Sequence, residues 1–324
     1  MKQVSFSEAE FAAKRKVTRR ERVLLVIDAR VPWEKLVALI EPHYPTSGRR
    51  GRPPIGIERM LRMYLLQQVL GLSDEGTEDA IYDSQSARAF VGLDLSHDPV
   101  PDATTLLRFR KLLNEHAIGE EIFRTINAQL EAEGLLLRKG TIVDATLIAA
   151  APSTKNREKA RDPEMRSSKK GNQWYFGMKA HIGVDAVSGL VHSMAVTTGS
   201  ESDVAHAHEV LHGEEEYVLG DAGYTGIEKR SEHEGRTVNW IIAERPSRLA
   251  RLVPEGGTAH DALRRAETLK ARMRALVEHP FHVLKCRFGH RKARYRGLAK
   301  NAQQLYVAFG LANLLLVGRR FATT

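Results

Sequence analysis

Hydrophobic positions in the first 135 residues recur at helical spacing. In "GIERMLRMYLLQQVLG", Ile57, Met60, Leu61, Tyr64, Leu65 and Val69 share one side of a 3.6-residue repeat. Pro53 and Pro54 precede it, as suits a helix start. Ser73 is placed to cap a helix over 74–91. "DPVPD" (98–102) reads as a turn, and Asp102 caps a helix carrying Leu106, Leu107, Phe109, Leu112 and Leu113 on its apolar side. A further helix over 119–134 stops at Gly134. Short helices with basic edges suit a helix-turn-helix-like DNA reader, and equally a plain helical packing domain.

Near residue 138 the pattern changes period. "GTIVDATLIAAA" (140–151) predicts a strand, "SSKKGNQ" (167–173) a polar, turn-rich loop, and residues 174–199 two antiparallel strands joined at 185–189. A helix over 202–213 with Ser202 as N-cap comes next, then the short apolar strand of "YVLGDAGYTG" (217–226) and a strand over 238–244. A long helix over 261–286 and a last one over 302–317 complete an α/β arrangement with a mixed sheet.

The chain has 324 residues, 42% of them hydrophobic and 27% charged, which allows two domains, or one domain with an elaborated end, and a sizeable core. No apolar run is long enough to span a membrane, and "MKQVSFSEAEFAAKRK" has no signal core. A cytoplasmic location is expected. Cys286 is the only cysteine, which excludes an internal disulfide or a cysteine zinc cluster, and it has little standing as a nucleophile.

Net charge is +9, and the basic residues are clustered. "KCRFGHRKARYRGLAK" (285–300) holds seven Lys or Arg and no acid; "KRKVTRRER" (14–22) holds six with one acid; "GRRGRP" (48–53) adds Arg49, Arg50 and Arg52. Clustering of this kind favours phosphate contacts and a nucleic-acid partner over a merely basic surface.

Two carboxylates sit where apolar strands should continue. Asp144 interrupts "TIVDATLI", and Asp221 ends the strand of "YVLGDAGYTG" among glycines. Asp is disfavoured in strands, and a buried charge needs a partner. For Asp144 that partner is a local backbone hydrogen bond, Lys179, or a metal ion. Two such carboxylates on neighbouring strands repel each other, and hard Mg²⁺ relieves the repulsion. A third carboxylate completes such a cage, and Glu278 in "ARMRALVEHPFHVLKCRFG" (271–289) is the candidate. On a continuous helix Arg274, Glu278 and Lys285 share a face; the alternative role is an Arg274–Glu278 helical ion pair. Pro280 threatens that continuity.

These segments resemble the DDE-class insertion-sequence transposases, close to the insertion-sequence-five family. The resemblance rests on "TIVDATLI", "VLGDAGYTG" and the spacing Arg274, Glu278, Lys285. It extends to "GRPPIGIERMLRMYLLQQVLGLSD" with the helices that follow it to residue 113, and to "WYFGMKAHIGVDAVSGLV" (174–191), covering about 45–315. Ala271 stands where that family's signature has Tyr, so Glu267 stays open as a competing carboxylate.

The resemblance implies a ribonuclease-H-like mixed sheet with flanking helices (136–324, ending in a basic segment), preceded by an all-helical DNA-end-binding region (1–135). It implies that Asp144, Asp221 and Glu278 are catalytic and bind two Mg²⁺, or Mn²⁺. Water attack at the transposon end frees a 3′-OH, which then attacks target DNA. Arg274 and Lys285 hold phosphates beside the ions, with Lys179, Arg287, Arg291, Lys292, Arg294, Arg296, Arg49, Arg50 and Arg52 as further DNA contacts. The partners are double-stranded terminal inverted repeats and target DNA at the nucleoid, met by at least a dimer.

His181, His206 and His208 read as packed or supporting groups. Trp174 and Trp240 read as core, with base stacking as the alternative. The rival functions are a metal-dependent nuclease without strand transfer and a non-catalytic DNA-binding regulator. A non-haem iron site using His206 and His208 is disfavoured, because i, i+2 side chains on a helix diverge by about 200°.

Overall fold

The computed structural model describes residues 11, 13–45, 53–252 and 257–321. Its residues form two compact units: Met1–Ile126 with Arg287–Gly289 and Leu305–Thr324, and Asn127–Cys286 with His290–Gln304. The chain therefore passes from the first unit to the second inside a helix, before the 135/136 boundary drawn from the sequence. The end of the last helix groups with the helical unit and not with the sheet.

The helical unit contains α1 (Arg19–Arg30), α2 (Trp33–Ile40), α3 (Ile57–Leu70), α4 (Asp74–Asp83), α5 (Gln85–Val91), α6 (Ala103–Glu115) and the start of α7 (Ile118–Ala132). Ser73 caps α4 through the Gly76 N–H, and Asp102 caps α6 through the Thr105 N–H, as their positions predict. The single helix expected over 74–91 is two helices. Ser84, in extended backbone, ends α4 and accepts from the Ala87 N–H to start α5. The buried polar residues of this unit include Gln67, Gln68, Thr77 and Arg110, and the Arg110 guanidinium grips both oxygens of Asp74 at 2.5 and 2.7 Å.

The second unit is built on a six-stranded sheet: β1 (Gly140–Ala149), β2 (Arg166–Lys170), β3 (Gln173–Asp185), β4 (Val191–Thr198), β5 (Tyr217–Gly220) and β6 (Asn239–Ile242). β3 lies antiparallel to β1 and to β4; β5 runs parallel to β1 and β6 parallel to β5. This is the expected mixed sheet after a helical region. The loop expected over 167–173 is instead β2 and a tight turn, because Arg166–Lys170 pair with the first residues of β3. The helix expected over 202–213 is a 3₁₀ helix, Asp203–Val210, and Ser202 makes no side-chain cap.

The long helix expected over 261–286 is broken. It comprises α9 (Thr258–Arg274), a 3₁₀ turn (Ala275–Val277), α10 (Glu278–His282) and a π segment (Val283–Arg287), with α8 (Pro246–Leu252) before it. Pro280 is the physical reason. It has no N–H to give, and its ring collides with the carbonyl four residues earlier, so the backbone tightens ahead of it. The last helix, α11 (Leu298–Phe321), is longer than its apolar stretch suggests. Its first N–H, on Leu298, donates to Glu164, and the Gly297 N–H donates to Asp162, each at 2.7 Å.

Candidate active site

The sheet brings Asp144 and Asp221 together. In the parallel β1–β5 ladder Ile142 pairs with Leu219. Two residues further on, on the same face of each chain, stand Asp144 and Asp221. The face behind them is apolar: Val143, Val218, Tyr224 and Ile227 share one buried cluster. Alternation thus drives the valines inward and leaves the two carboxylates on the opposite side.

The glycines of "YVLGDAGYTG" shape this corner. Asp221 caps the 3₁₀ turn Ala222–Tyr224, its Oδ1 accepting from the Gly223 N–H at 2.8 Å. A Cβ on Gly223 would lie 2.8 Å from that oxygen, so a side chain there would force the Asp221 carboxylate to shift. Gly226, at φ 89°, takes the left-handed turn that sends the chain away.

Asp144 is half-buried, and its carboxylate Oδ1 accepts from the Ala145 N–H at 2.7 Å. Burial pushes its carboxyl up to about 6 against the pull of that hydrogen bond; the charges of Asp221 and Glu278 raise it further, and Arg274 opposes them. Of the three partners weighed for Asp144, the local backbone is present and Lys179 is not. Lys179 pairs in register with Leu147, which puts it on the opposite face from Asp144. There it binds Asp203 at 2.9 Å and the Glu201 carbonyl at 2.7 Å.

Glu278 and Arg274 reach this corner because the broken helix lies along β1. The 3₁₀ turn Ala275–Val277 packs on β1 with Val277 buried, and further on Lys285 Nζ donates to the Leu147 carbonyl at 2.9 Å. Glu278 itself is exposed. The Nε of Arg274 is buried with no hydrogen-bond partner, and no Arg274–Glu278 ion pair occurs among the described residues. The continuous helical face argued from spacing is therefore absent; what gathers these residues is the packing of the broken segment on β1. Glu267 is engaged elsewhere, accepting from Lys270 at 2.6 Å and from the Glu244 N–H at 3.1 Å.

Comparison with known families decides the chain's membership. The Transposase DDE domain matches residues 136–314, and the Transposase domain (DUF772) matches residues 11–112. The chain belongs to the DDE transposases. No solved structure matches it.

The sheet of this transposase, with its helical N-terminal region, is consistent with the ribonuclease-H-like DDE fold. Its donors fit a hard divalent ion in kind, being carboxylate oxygens, two of them each two residues beyond the paired Ile142 and Leu219. Among the described residues, no three His, Cys, Asp or Glu stand close enough together to hold one ion. None of the helices is long and apolar enough to cross a membrane among the described residues.

The other predicted DNA contacts of the transposase differ in environment. Arg291 and Lys292 are exposed and sit at the end of β1: the Ala149 N–H donates to the Arg291 carbonyl at 3.3 Å, and the Ala293 N–H to the Ala149 carbonyl at 2.8 Å. Arg287 is exposed as well. Arg296 is paired with Glu158 at 2.5 Å, and Arg294 is half-buried beside His290. Arg49, Arg50 and Arg52 lie outside the described residues.

The rings of His181 and His206 lie tilted against each other, 5.2 Å between centroids, on the face opposite Asp144, and His208 bonds the Ala205 carbonyl. They are packing groups. Trp240 packs against His233, ring centroids 4.9 Å apart. Trp174 is 68% exposed, so its core assignment is overturned. Tyr224, three residues after Asp221, is buried. Its phenol is held well above the usual range by burial and by Asp144, Asp203 and Asp221.

Proposed function

We propose that this transposase cleaves DNA at terminal inverted repeats and joins the freed 3′-OH ends to target DNA, as a member of the insertion-sequence-five group. Asp144, Asp221 and Glu278 are the catalytic carboxylates, and they would hold two Mg²⁺ or Mn²⁺ ions. Such ions, when bound, supply Lewis-acid charge at the phosphate and lower the pKa of water. The observation that carries this reading is the parallel β1–β5 register, Ile142 opposite Leu219, which puts Asp144 and Asp221, each two residues further on, on one face, with Glu278 and Arg274 inside the electrostatic reach of Asp144.

The chain's own residues bind and orient. Asp221 is locked by the Gly223 N–H, so its outer oxygen keeps one direction. Arg274, half-buried and close enough to act on the Asp144 carboxyl, holds a phosphate oxygen of the scissile strand. Water adds to that phosphorus and the 3′-oxygen leaves, giving a 3′-OH and a 5′-phosphate. The 3′-OH then attacks a target phosphodiester, whose own 3′-oxygen leaves, so one ester bond forms for each one broken. The helical N-terminal region reads the DNA ends, and two chains act together at the nucleoid, one for each end.

Incubation of the full chain with plasmid DNA and Mg²⁺ or Mn²⁺ tests the carboxylates. Asp221→Asn should abolish cleavage while DNA binding persists, and unchanged cleavage overturns the assignment. Pre-cut oligonucleotides with 3′-OH ends separate a transposase from a nuclease: joined products are expected, and hydrolysis alone identifies the nuclease. Binding without any cleavage identifies a regulator.

A further inference from the structure

Of the large apolar side chains exposed among the described residues, Trp174 is the most open, and nothing in the carboxylate site uses it. It stands near the tip of the β2–β3 hairpin, directly across from Lys169, so the two side chains share one face. The hairpin projects: β1 ends at Ala149, paired with Gly177, and Gln173 to Phe176 run on past it. No Asp or Glu occurs between 165 and 184. The hairpin also carries Arg166, exposed like Lys169.

The register relates this tip to the carboxylates. Asp144 pairs with Ile182, and Trp174 is eight residues away from Ile182 along β3, an even number. Trp174 and Asp144 therefore lie on the same face of the sheet, separated by roughly 26 Å of strand. An indole left in water beside an acid-free basic strand suits a partner with flat apolar rings and negative charge. A solvent-facing Trp gives a hairpin no core contact, and a protein partner would need no excess of cations.

We propose that the β2–β3 hairpin is a binding site for unpaired DNA, with Trp174 stacking on a base and Lys169 contacting its phosphate. This deepens the reading of the chain as a DNA-cutting enzyme and rests on it. Stacking of a base on an aromatic ring is sequence-tolerant, so single-stranded DNA of any composition engages the tip.

Titration of the full chain with single-stranded (dT)15 tests this, read by intrinsic tryptophan fluorescence and by anisotropy of labelled DNA. Trp33 is covered by the Arg62 guanidinium and Trp240 packs on His233, so quenching should come from Trp174. Wild-type fluorescence is expected to fall. Trp174→Phe should lose the quench but keep affinity within about threefold, and Trp174→Ala should lose about tenfold or more. Binding of a duplex without single-stranded ends should change far less. Unchanged (dT)15 affinity in Trp174→Ala, or equal losses for duplex and single strand, overturns the proposal. If that happens while Asp221→Asn still abolishes plasmid cleavage, the hairpin inference fails and the enzymatic reading stands.

Discussion

Asp144 and Asp221 stand two residues beyond Ile142 and Leu219, paired positions of adjacent parallel strands, and so face the same side of the sheet one strand apart. Their charges compete for the same space. With its carboxyl pushed up to about 6 from 3.8, Asp144 binds a proton more tightly in the folded chain than in the unfolded one. Stability is then lost as pH rises from about 4 to about 6. Asp144→Asn should raise stability at pH 7.5 by about 1–3 kcal/mol without metal, allowing for partial solvent screening. It should change little at pH 4. In thermal melts, Mn²⁺ or Mg²⁺ should raise the Tm of the wild type and not of the variant. A variant less stable than wild type at pH 7.5 contradicts the electrostatic account.

Gly223→Ala tests the cap that orients Asp221. The added methyl group would lie 2.8 Å from the Oδ1 that accepts the Gly223 N–H, closer than a Cβ tolerates. The carboxylate must rotate away, at a stability loss of about 1 kcal/mol. Cleavage should fall far more than stability does, by about 100-fold, since a displacement near 1 Å at a reacting centre has that order of effect. Equal percentage losses of folded protein and of activity would mean that Gly223 is only structural.

Glu278 and Glu267 separate by environment. Glu278 is exposed beside Asp144's field, whereas Glu267 accepts the Lys270 ammonium and the Glu244 N–H at the end of β6. Glu278→Gln should remove metal-dependent cleavage and leave the Tm within about 1 °C, as expected of an exposed substitution. Glu267→Gln should lower the Tm and keep cleavage within about threefold. The reverse pattern would transfer the third-carboxylate role to Glu267.

Basic residues sort into structural and nucleic-acid groups. Lys179 and Lys285 are engaged, with Asp203 and with the Leu147 carbonyl. Lys292 and Arg287 are exposed. Lys179→Met and Lys285→Met should lower stability by about 1–2 kcal/mol, the loss of a charge-assisted hydrogen bond. Lys292→Gln and Arg287→Gln should leave stability unchanged and weaken DNA binding, each reducing the slope of log affinity against log salt by about 1. Filter binding across a salt series reads the difference.

Much of this was legible in the chain, for reasons specific to each residue. Asp144 and Asp221 stood out because carboxylates are rare in apolar strands, and strand alternation alone puts them opposite the valines. Ser73 and Asp102 were readable as caps because capping is local. The break at Ser84 was hidden, since apolar spacing continues through it. Lys285's partner was also hidden: a backbone carbonyl 138 residues away leaves no mark in the sequence. Residues 167–173 read as a loop because they are polar, and a hairpin with both faces open needs no apolar alternation. The same openness explains Trp174, for which aromatic composition suggested a core position.

Three of the buried histidines set the acid limit of the fold. Burial holds His192 down to about 3, helped by the positive charges of His212 and Arg138; it holds His290 down to about 3 with Arg294 beside it, and His181 down to about 4 despite Asp203. Each stays neutral in the folded chain and takes a proton near 6.5 when unfolded. The unfolded state therefore binds more protons between about 6.5 and 3, and stability falls as pH is lowered through that window. Melts from pH 7.5 to pH 4.5 should show a steady decline, with no comparable loss above pH 7 from this source. His192 bonds Thr141 at 3.0 Å and Ser193 at 2.9 Å. His192→Gln should cost stability at pH 7.5 by leaving those hydroxyls poorly matched, yet flatten the acid decline because one proton uptake has been removed. A variant whose decline between pH 6.5 and 4.5 is as steep as the wild type's would show that His192 titrates normally in the folded chain.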